Sequence, residues 1–147
     1  MSNRNELQCK VYPFGSLSPL KYVVVCSFFN GKCLLSRHKK RDTWETQGGH
    51  IESGETPMEA AKRELFEESG VKDATLYPIC DYLGSRESSS ANGAVFLADV
   101  HSLGVMPESE MSETMLFVTM PDELTYPNVT PLLFEKAREF AAEKGIL

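Results

Sequence analysis

The segment from Thr56 to Gly70 carries helix signals at both ends, and it constrains the fold more than any other stretch of the sequence. Thr56 is a typical N-cap residue, Pro57 suits the first helical position, and Glu59 completes a T-x-x-E capping box. Gly70 stands where a left-handed residue commonly ends a helix. The sequence therefore predicts a helix over Pro57–Ser69.

One face of this predicted helix is acidic. At about 100° per residue, Glu64 and Glu68 lie one turn apart, and Glu67 flanks them. Each like-charge pair costs about 0.2–0.5 kcal/mol on an open helix, so a divalent cation would relieve the repulsion. Carboxylate oxygens without a cysteine or a paired histidine favour a hard ion, Mg²⁺ or Mn²⁺. The alternative is a solvated acidic face. The glycine-rich turn before the helix argues against this alternative.

The residues from Gly49 to Val71 resemble the Nudix box, the motif G-x5-E-x7-R-E-U-x-E-E-x-G-U in which U is apolar. Gly49, Glu55 and the run RELFEESGV from Arg63 onward match every fixed position. The resemblance implies a hydrolase of a nucleoside diphosphate linked to another group, and a requirement for Mg²⁺ or Mn²⁺.

The same resemblance implies a role for each acidic residue of the helix. Glu67 and Glu68 would be the central metal ligands. Glu64 would share a metal or position the attacking water as a base. Arg63 would hold the acidic residues in place through charge-assisted hydrogen bonds.

Further metal ligands are expected from outside the helix. In the family picture the backbone carbonyl of Gly48 often adds a ligand, and another ligand commonly comes from a distant loop. The stretch before an apolar strand near the C-terminus is similar to that loop, with Glu110 as the first candidate and Glu113 as the second. Glu55 would serve structure by tying the turn to the helix.

Three residues before the box are candidates for binding the substrate: Arg37, Lys39 and Trp44. A basic loop in an acidic protein could meet phosphate oxygens, although a solvated loop is an equal alternative. Trp44, the only tryptophan, is either a core anchor or a platform near the base. His50 is expected to be exposed or to lie behind the ligands.

Composition indicates one globular domain over residues 1–147, with 41% hydrophobic and 24% charged residues. No run approaches the ~18 apolar residues of a membrane span, and no N-terminal signal pattern appears, so we expect no membrane contact and a cytoplasmic location. The net charge of −6 argues against binding a nucleic-acid polymer. We expect a monomer or homodimer that acts on a small nucleotide.

The four cysteines are widely spaced and form no C-x-x-C pair. The lack of a C-x-x-C pair argues against a zinc site. The lack of a signal peptide indicates that the thiols are reduced.

Hydrophobic runs and turn residues predict the other elements. Asn30-Gly31 is a strong hairpin signal, and Pro78 is expected to interrupt a strand. Polar loops are predicted over Ser85–Asn92 and Gly104–Ser112. A second helix, capped by Thr130, is predicted to run to about Lys144, with a core face formed by Leu133, Ala137, Phe140 and Ala141. The predicted strands are Leu7–Tyr12, Tyr22–Phe29, Lys32–Arg37, Ala74–Leu83, Ala94–His101 and Thr114–Met120.

Two helices and several antiparallel strands predict an α/β (α+β) fold, a helix–sheet–helix sandwich. The Nudix resemblance implies the same arrangement, with a mixed, curved sheet between the box helix and the C-terminal helix.

Among the activities that the Nudix resemblance implies, elimination favours a nucleoside triphosphate diphosphatase that releases the monophosphate. Glu87 stands where the ADP-ribose enzymes of the family carry a proline, the run Leu34 to Arg37 matches the coenzyme A pattern only in part, and Tyr82 is too near the box for the diadenosine pattern. Gln47 stands where many relatives have proline, a departure that weakens the substrate assignment and not the catalytic one. The residues around the box also look like bacterial enzymes that clear oxidised dGTP, such as 8-oxo-dGTP. The alternatives are a hydrolase of ADP-ribose, a nucleotide sugar or a dinucleotide, a non-catalytic nucleotide-binding module, and an isopentenyl diphosphate isomerase.

Overall fold

The computed structural model describes residues 7–86 and 89–147. No helix in this part of the chain is long and apolar enough to cross a membrane. The elements are β1 Gln8–Pro13, β2 Tyr22–Phe29, β3 Lys32–His38, β4 Trp44–Glu45, β5 Gln47–His50, α1 Pro57–Ser69, β6 Asp73–Arg86, β7 Ser89–Ser102, β8 Met111–Phe117 and α2 Thr130–Lys144.

The strands form one mixed sheet around a central parallel pair, β2 and β7. The order is β1-β6-β7-β2-β3-β4, with β5 beside β2 and β8 beside β3, and these other strand pairs are antiparallel. β2 changes partner along its length, because its first residues pair with β5 and its last with β3. Gly48 and Gly49, on β5, therefore lie where the sheet divides.

Side chains alternate between the two faces of the sheet, and one helix covers each face. Val23 and Val25 of β2 share a core cluster with Leu65 of α1. Phe28 of β2 points the other way and meets Phe134 of α2 edge-on, with ring centroids 5.3 Å apart. The predicted helix–sheet–helix sandwich is confirmed.

α1 begins and ends where the sequence predicts. The Glu59 N–H donates to Thr56 Oγ1 at 3.1 Å, and the Thr56 N–H donates to the Glu59 carboxylate at 2.9 Å. Gly70 is left-handed, with φ of 82°, and its N–H donates to the Phe66 carbonyl at 2.8 Å. Local hydrogen bonding thus sets both ends of the helix, and the predicted caps are confirmed.

The hairpin between β2 and β3 is also confirmed. Asn30 and Gly31 have positive φ angles of 51° and 79°, as a tight turn between twisted strands requires. β2 has the predicted bounds, and β3 runs one residue further, to His38.

The predicted loop over Ser85–Asn92 is wrong for its described residues. β6 continues to Arg86 and β7 begins at Ser89, with Ser85 opposite Ser90. Glu87 and Ser88 lie outside the described residues. A long antiparallel ladder extends these polar residues in spite of their low strand propensity.

Pro78 does not interrupt its strand. The register of β6 against β7 shifts between Pro78 and Cys80, and the irregularity accommodates the proline inside one continuous strand.

Near the C-terminus, β8 begins and ends earlier than predicted, because pairing with β3 draws Met111 out of the predicted loop. Thr130 is the first helical residue of α2 and not its cap. The cap is Val129, which makes no side-chain cap bond. Backbone bonds from Val129 and Thr130 to the Tyr126 carbonyl, both at 3.0 Å, lead into the helix instead.

Candidate active site

Arg63, near the middle of α1, links the acidic residues of the box. Its Nε and Nη2 donate to the two oxygens of Glu55 at 2.7 and 2.9 Å. Its Nη1 donates to Glu64 at 2.8 Å and to Glu67 at 3.4 Å, and its Nη2 reaches the His50 carbonyl at 3.0 Å. One guanidinium therefore ties the turn before α1 to two carboxylates on the helix.

Glu55 is held in the charged state by these contacts. The Arg63 hydrogen bonds, together with one from the Glu52 N–H, lower the pKa of the Glu55 carboxyl to about 2. Glu55 therefore remains an anion that fixes the turn across the working pH range.

Glu68, in the last turn of α1, reaches back to the glycine turn. The Gly48 N–H donates to Glu68 Oε1 at 2.8 Å. Burial raises the pKa of the Glu68 carboxyl to about 8, and the charges of Glu64, Glu45 and Glu110 add to the rise, while the Gly48 hydrogen bond opposes it. Burial and the neighbouring carboxylates thus disfavour the charged form of Glu68.

Glu64 lies directly against the glycine turn. The residue is 9% exposed, and burial raises the pKa of its carboxyl while Arg63 opposes the rise. A Cβ atom on Gly49 would lie 2.5 Å from Glu64 Oε1. A side chain at position 49 would therefore displace this carboxylate, which explains why the box needs glycine there.

The predicted metal ligands come from three segments: Gly48 from β5, three glutamates from α1, and Glu110 from the loop before β8. Within residues 7–86 and 89–147, no three acidic, histidine or cysteine side chains converge as a ready ligand set, and Arg63 Nη1 contacts both Glu64 and Glu67. The donors still fit a hard divalent cation, because they are oxygens and because burial disfavours the unpaired charge of Glu68.

Glu110 and Glu113 have different surroundings. The side chain of Glu110 is 82% exposed, and its Oε2 lies 3.8 Å from His38 Nε2. Its charge contributes to the raised pKa of Glu68, so the two carboxylates lie close enough to interact. Glu113 instead accepts a hydrogen bond from Arg37 Nε at 2.8 Å. Glu110 is the less engaged of the two carboxylates, and its assignment as a ligand stays a prediction.

The three predicted substrate-binding residues make contacts of their own. Besides the ion pair with Glu113, Arg37 donates to the Arg41 carbonyl at 3.0 Å, and Lys39 Nζ lies 2.7 Å from Glu108 Oε1. The Trp44 ring packs against Phe117, with centroids 5.2 Å apart, beside the α2-face core. Their roles toward a substrate stay predictions.

A cavity of about 550 Å³ opens on the α2 face of the sheet, beside the glycine turn. Gly48 and Gly49 belong to its wall, and Arg37, Lys39 and Trp44 do not. Its volume lies in the range of about 300–1,000 Å³ found for ligand pockets. Its aromatic lining consists of Tyr22, His50, Tyr82 and Tyr126.

This aromatic lining was not predicted from the sequence. Tyr82 and Tyr22 both stand opposite Gly93 in the sheet, and a Cβ atom on Gly93 would overlap the Tyr82 ring. Tyr22 in turn contacts His50, with ring centroids 4.6 Å apart. The signal that could have found the lining is a glycine inside a strand, which often marks a close approach of another group.

Comparison with known proteins gives one consistent family. The family model described as NUDIX domain matches residues 19–142. A protein of Bacillus subtilis (strain 168), provisionally named 8-oxo-dGTP diphosphatase YtkD, is 32% identical over 126 residues, which cover 84% of this chain and 77% of that protein. The oxidized purine nucleoside triphosphate hydrolase of Mus musculus is 34% identical over 92 residues, but the match spans only 60% of this chain and 56% of the mouse protein.

Among solved structures, a mutant of the Bacillus subtilis pyrophosphohydrolase BsRppH has a similar fold. The TM-score is 0.75 at 25% sequence identity, and the match covers 91% of this chain and 90% of that one.

Proposed function

Since this chain belongs to the Nudix hydrolase family, we propose that it hydrolyses a nucleoside triphosphate and releases the monophosphate. Members of the family act on pyrophosphate bonds and generally use divalent metal ions. The finer assignment, to an oxidised purine nucleotide such as 8-oxo-dGTP, draws on the printed names of the Bacillus and mouse relatives.

One observation carries the proposal: the aromatic cavity and the acidic face of α1 meet at the glycine turn. Gly48 and Gly49 line the cavity. The Gly48 N–H also donates to Glu68, and a Cβ atom on Gly49 would overlap the Glu64 carboxylate. If the base of a nucleotide stacked on the tyrosines of the cavity, its phosphates would lie near the carboxylates of α1. Base–aromatic stacking is worth about 1–3 kcal/mol per base.

We assign the metal ion, Mg²⁺ or Mn²⁺, to Glu64, Glu67, Glu68, the Gly48 carbonyl and Glu110. A bound divalent cation neutralises phosphate oxygens and lowers the pKa of a coordinated water. The burial of Glu68 supports this assignment, because an adjacent cation would compensate its charge.

Other side chains of the box orient the metal ligands and activate the attacking water. Arg63 orients Glu64 and Glu67 while staying bound to Glu55. Glu64 either shares the metal or accepts the proton of the attacking water. Burial raises the pKa of the Glu64 carboxyl, and this makes its carboxylate a stronger base, which suits the second role.

The alternative functions differ in the substrate that the cavity binds and in whether the Nudix box is catalytically active. ADP-ribose, a nucleotide sugar and a dinucleotide each contain the same type of bond. A nucleotide-binding module that has lost catalysis would be expected to lack box carboxylates, and here all are present. An isomerase of this fold would need a cysteine at its active site, and Cys9, Cys26, Cys33 and Cys80 are not among the box or cavity residues.

The test is a substrate panel with Mg²⁺, with every product identified by mass. It includes 8-oxo-dGTP, the ordinary nucleoside triphosphates, ADP-ribose, a nucleotide sugar, a dinucleotide and a 5′-triphosphorylated RNA. We expect monophosphate and pyrophosphate from a triphosphate, with loss of activity in EDTA. Preferred cleavage of ADP-ribose, or no product from any member, would contradict the proposal.

A matched pair of variants tests the cavity. Tyr82→Leu should raise KM for the nucleotide because it removes a ring from the lining. Tyr77→Leu is the control, since Tyr77 lies on the same strand but contacts Phe140 of α2, with centroids 6.3 Å apart. Equal KM values in both variants would exclude the cavity as the base-binding site.

We also propose that residues 1–147 act as one domain in the cytoplasm, as a monomer or homodimer. Light scattering on the purified chain would decide the oligomeric state.

A further inference from the structure

A relay of buried hydrogen bonds runs beneath the glycine turn, on the α1 face of the sheet. Ser27, Ser36 and Gln47 are each 0% exposed. Ser27 Oγ donates to Gln47 Oε1 at 2.7 Å, Gln47 Nε2 donates to Ser36 Oγ at 2.9 Å, and Ser36 Oγ donates to the backbone carbonyl of Glu68 at 2.8 Å. The relay therefore joins three strands to the last turn of the acidic helix.

From this geometry we propose that Gln47 and Ser36 are positioning residues that fix Glu68 for hydrolysis; the proposal rests on the function proposed above. Glu68 is held at two points. Ser36 holds its backbone carbonyl, and the Gly48 N–H holds its carboxylate at 2.8 Å. Gln47 controls both points, because its side chain bonds Ser36 and its backbone leads directly into Gly48.

The direction of the relay is fixed by its donors and acceptors. Gln47 Nε2 has two protons, and both are used, on Ser36 Oγ and on the Leu34 carbonyl at 3.2 Å. The amide oxygen accepts from Ser27, so each hydroxyl has one defined role. Buried hydrogen bonds in such a chain strengthen one another, and removal of one partner leaves another group unsatisfied.

The relay reaches a carbonyl that the helix itself cannot satisfy. Glu68 lies in the last turn of α1, where backbone carbonyls have no partner within the helix. A purely structural role, in which Ser36 caps the helix, would predict a loss of stability alone. The proposed role predicts in addition that the Gly48–Glu68 contact and the turnover number change.

The first experiment measures the metal-free protein. Ser36→Ala and Gln47→Met each break the relay. In folded protein, amide hydrogen exchange followed by NMR should show faster exchange at Gly48 in both variants, because the carboxylate that accepts its N–H is no longer held. Cys26→Ala is the matched control. Cys26 is equally buried on β2 but points to the opposite face, so it should lower the melting temperature and leave Gly48 exchange unchanged.

The second experiment measures turnover on the best substrate of the panel. Loss of a group that orients a metal ligand typically costs about 10–100-fold, so kcat should fall by that amount in both variants while KM stays near the wild-type value. Ser36→Thr keeps the hydroxyl and should restore most of kcat. If Ser36→Ala does not fold, Gln47→Met still breaks the relay and decides the test.

The outcomes separate the two proposals. Wild-type exchange at Gly48 in folded Ser36→Ala, or a kcat no lower than that of Cys26→Ala, would overturn the positioning role. If the wild-type protein cleaves no substrate, the proposed function fails, and the Gly48 exchange still decides whether the relay holds Glu68.

Discussion

At the scale of single residues, the candidate site is a balance between four carboxylates and one guanidinium. Arg63 lies within 4 Å of Glu52, Glu55, Glu64 and Glu67. Glu68, in contrast, is held by a backbone N–H and carries a raised pKa. Burial disfavours the charged form of Glu68, and this is the carboxylate that the proposed divalent cation would stabilise.

Arg63→Lys should lower both activity and stability. A lysine cannot reproduce the two-point contact with Glu55 while also reaching the helix carboxylates. We expect kcat to fall by about 10–100-fold, as for other groups that orient metal ligands, and the melting temperature to drop. The matched control is Lys62→Arg at the exposed neighbouring position, which should change neither. Wild-type kcat in Arg63→Lys would contradict the orienting role.

The raised pKa of Glu68 predicts a pH effect on the metal-free protein. The pKa of Glu68 in the folded protein, about 8, lies above the ordinary value of 4.5. The contribution of this group to the free energy of unfolding is therefore fully present below pH 4.5 and is lost as the pH rises through 8. Urea unfolding at several pH values, for wild type and Glu68→Gln, should show wild type losing stability relative to the variant over this window. A constant difference between the two proteins would contradict the burial of an unpaired charge.

At the scale of elements, α1 has its ends set by its own sequence. Thr56, Glu59 and Gly70 make their bonds inside the segment, so the helix and its acidic face could be predicted without knowledge of the sheet. α2 differs, because its N-terminus has no side-chain cap and depends on backbone bonds to Tyr126.

Thr56→Ala should destabilise the protein by about 0.5–2 kcal/mol, the usual cost of losing an N-cap side chain. Ser53→Ala, at an exposed position in the same turn, is the control. Chemical denaturation gives both values, and equal losses would show that the capping box contributes nothing specific.

At the scale of the whole molecule, the sequence predicted what depends on local patterns. The caps of α1, the Asn30-Gly31 hairpin and the bounds of β2 could be read from a few neighbouring residues. Features that depend on strand pairing could not be predicted from the sequence. β5 is short and glycine-rich, and only its ladder with β2 reveals it as a strand; likewise, pairing with β7 extends β6 to Arg86.

The candidate site also has a part that the sequence predicts and a part that only the fold reveals. The glutamates of α1 follow from their spacing on one helix, but the aromatic cavity joins side chains from β2, β5, β6 and the segment before α2. Gln47 illustrates the difference most clearly. In the sequence it is a polar residue before the glycine turn, and in the fold it is the centre of a buried relay.

The decisive measurement for the proposed metal site is the turnover number of Glu68→Gln. Glutamine keeps the size of the side chain and can still accept the Gly48 hydrogen bond, so the fold and the melting temperature should survive. With Mg²⁺ and the best substrate of the panel, we expect a kcat lower than that of wild type by orders of magnitude. A near-normal kcat in the folded variant would show that Glu68 is not a metal ligand needed for hydrolysis.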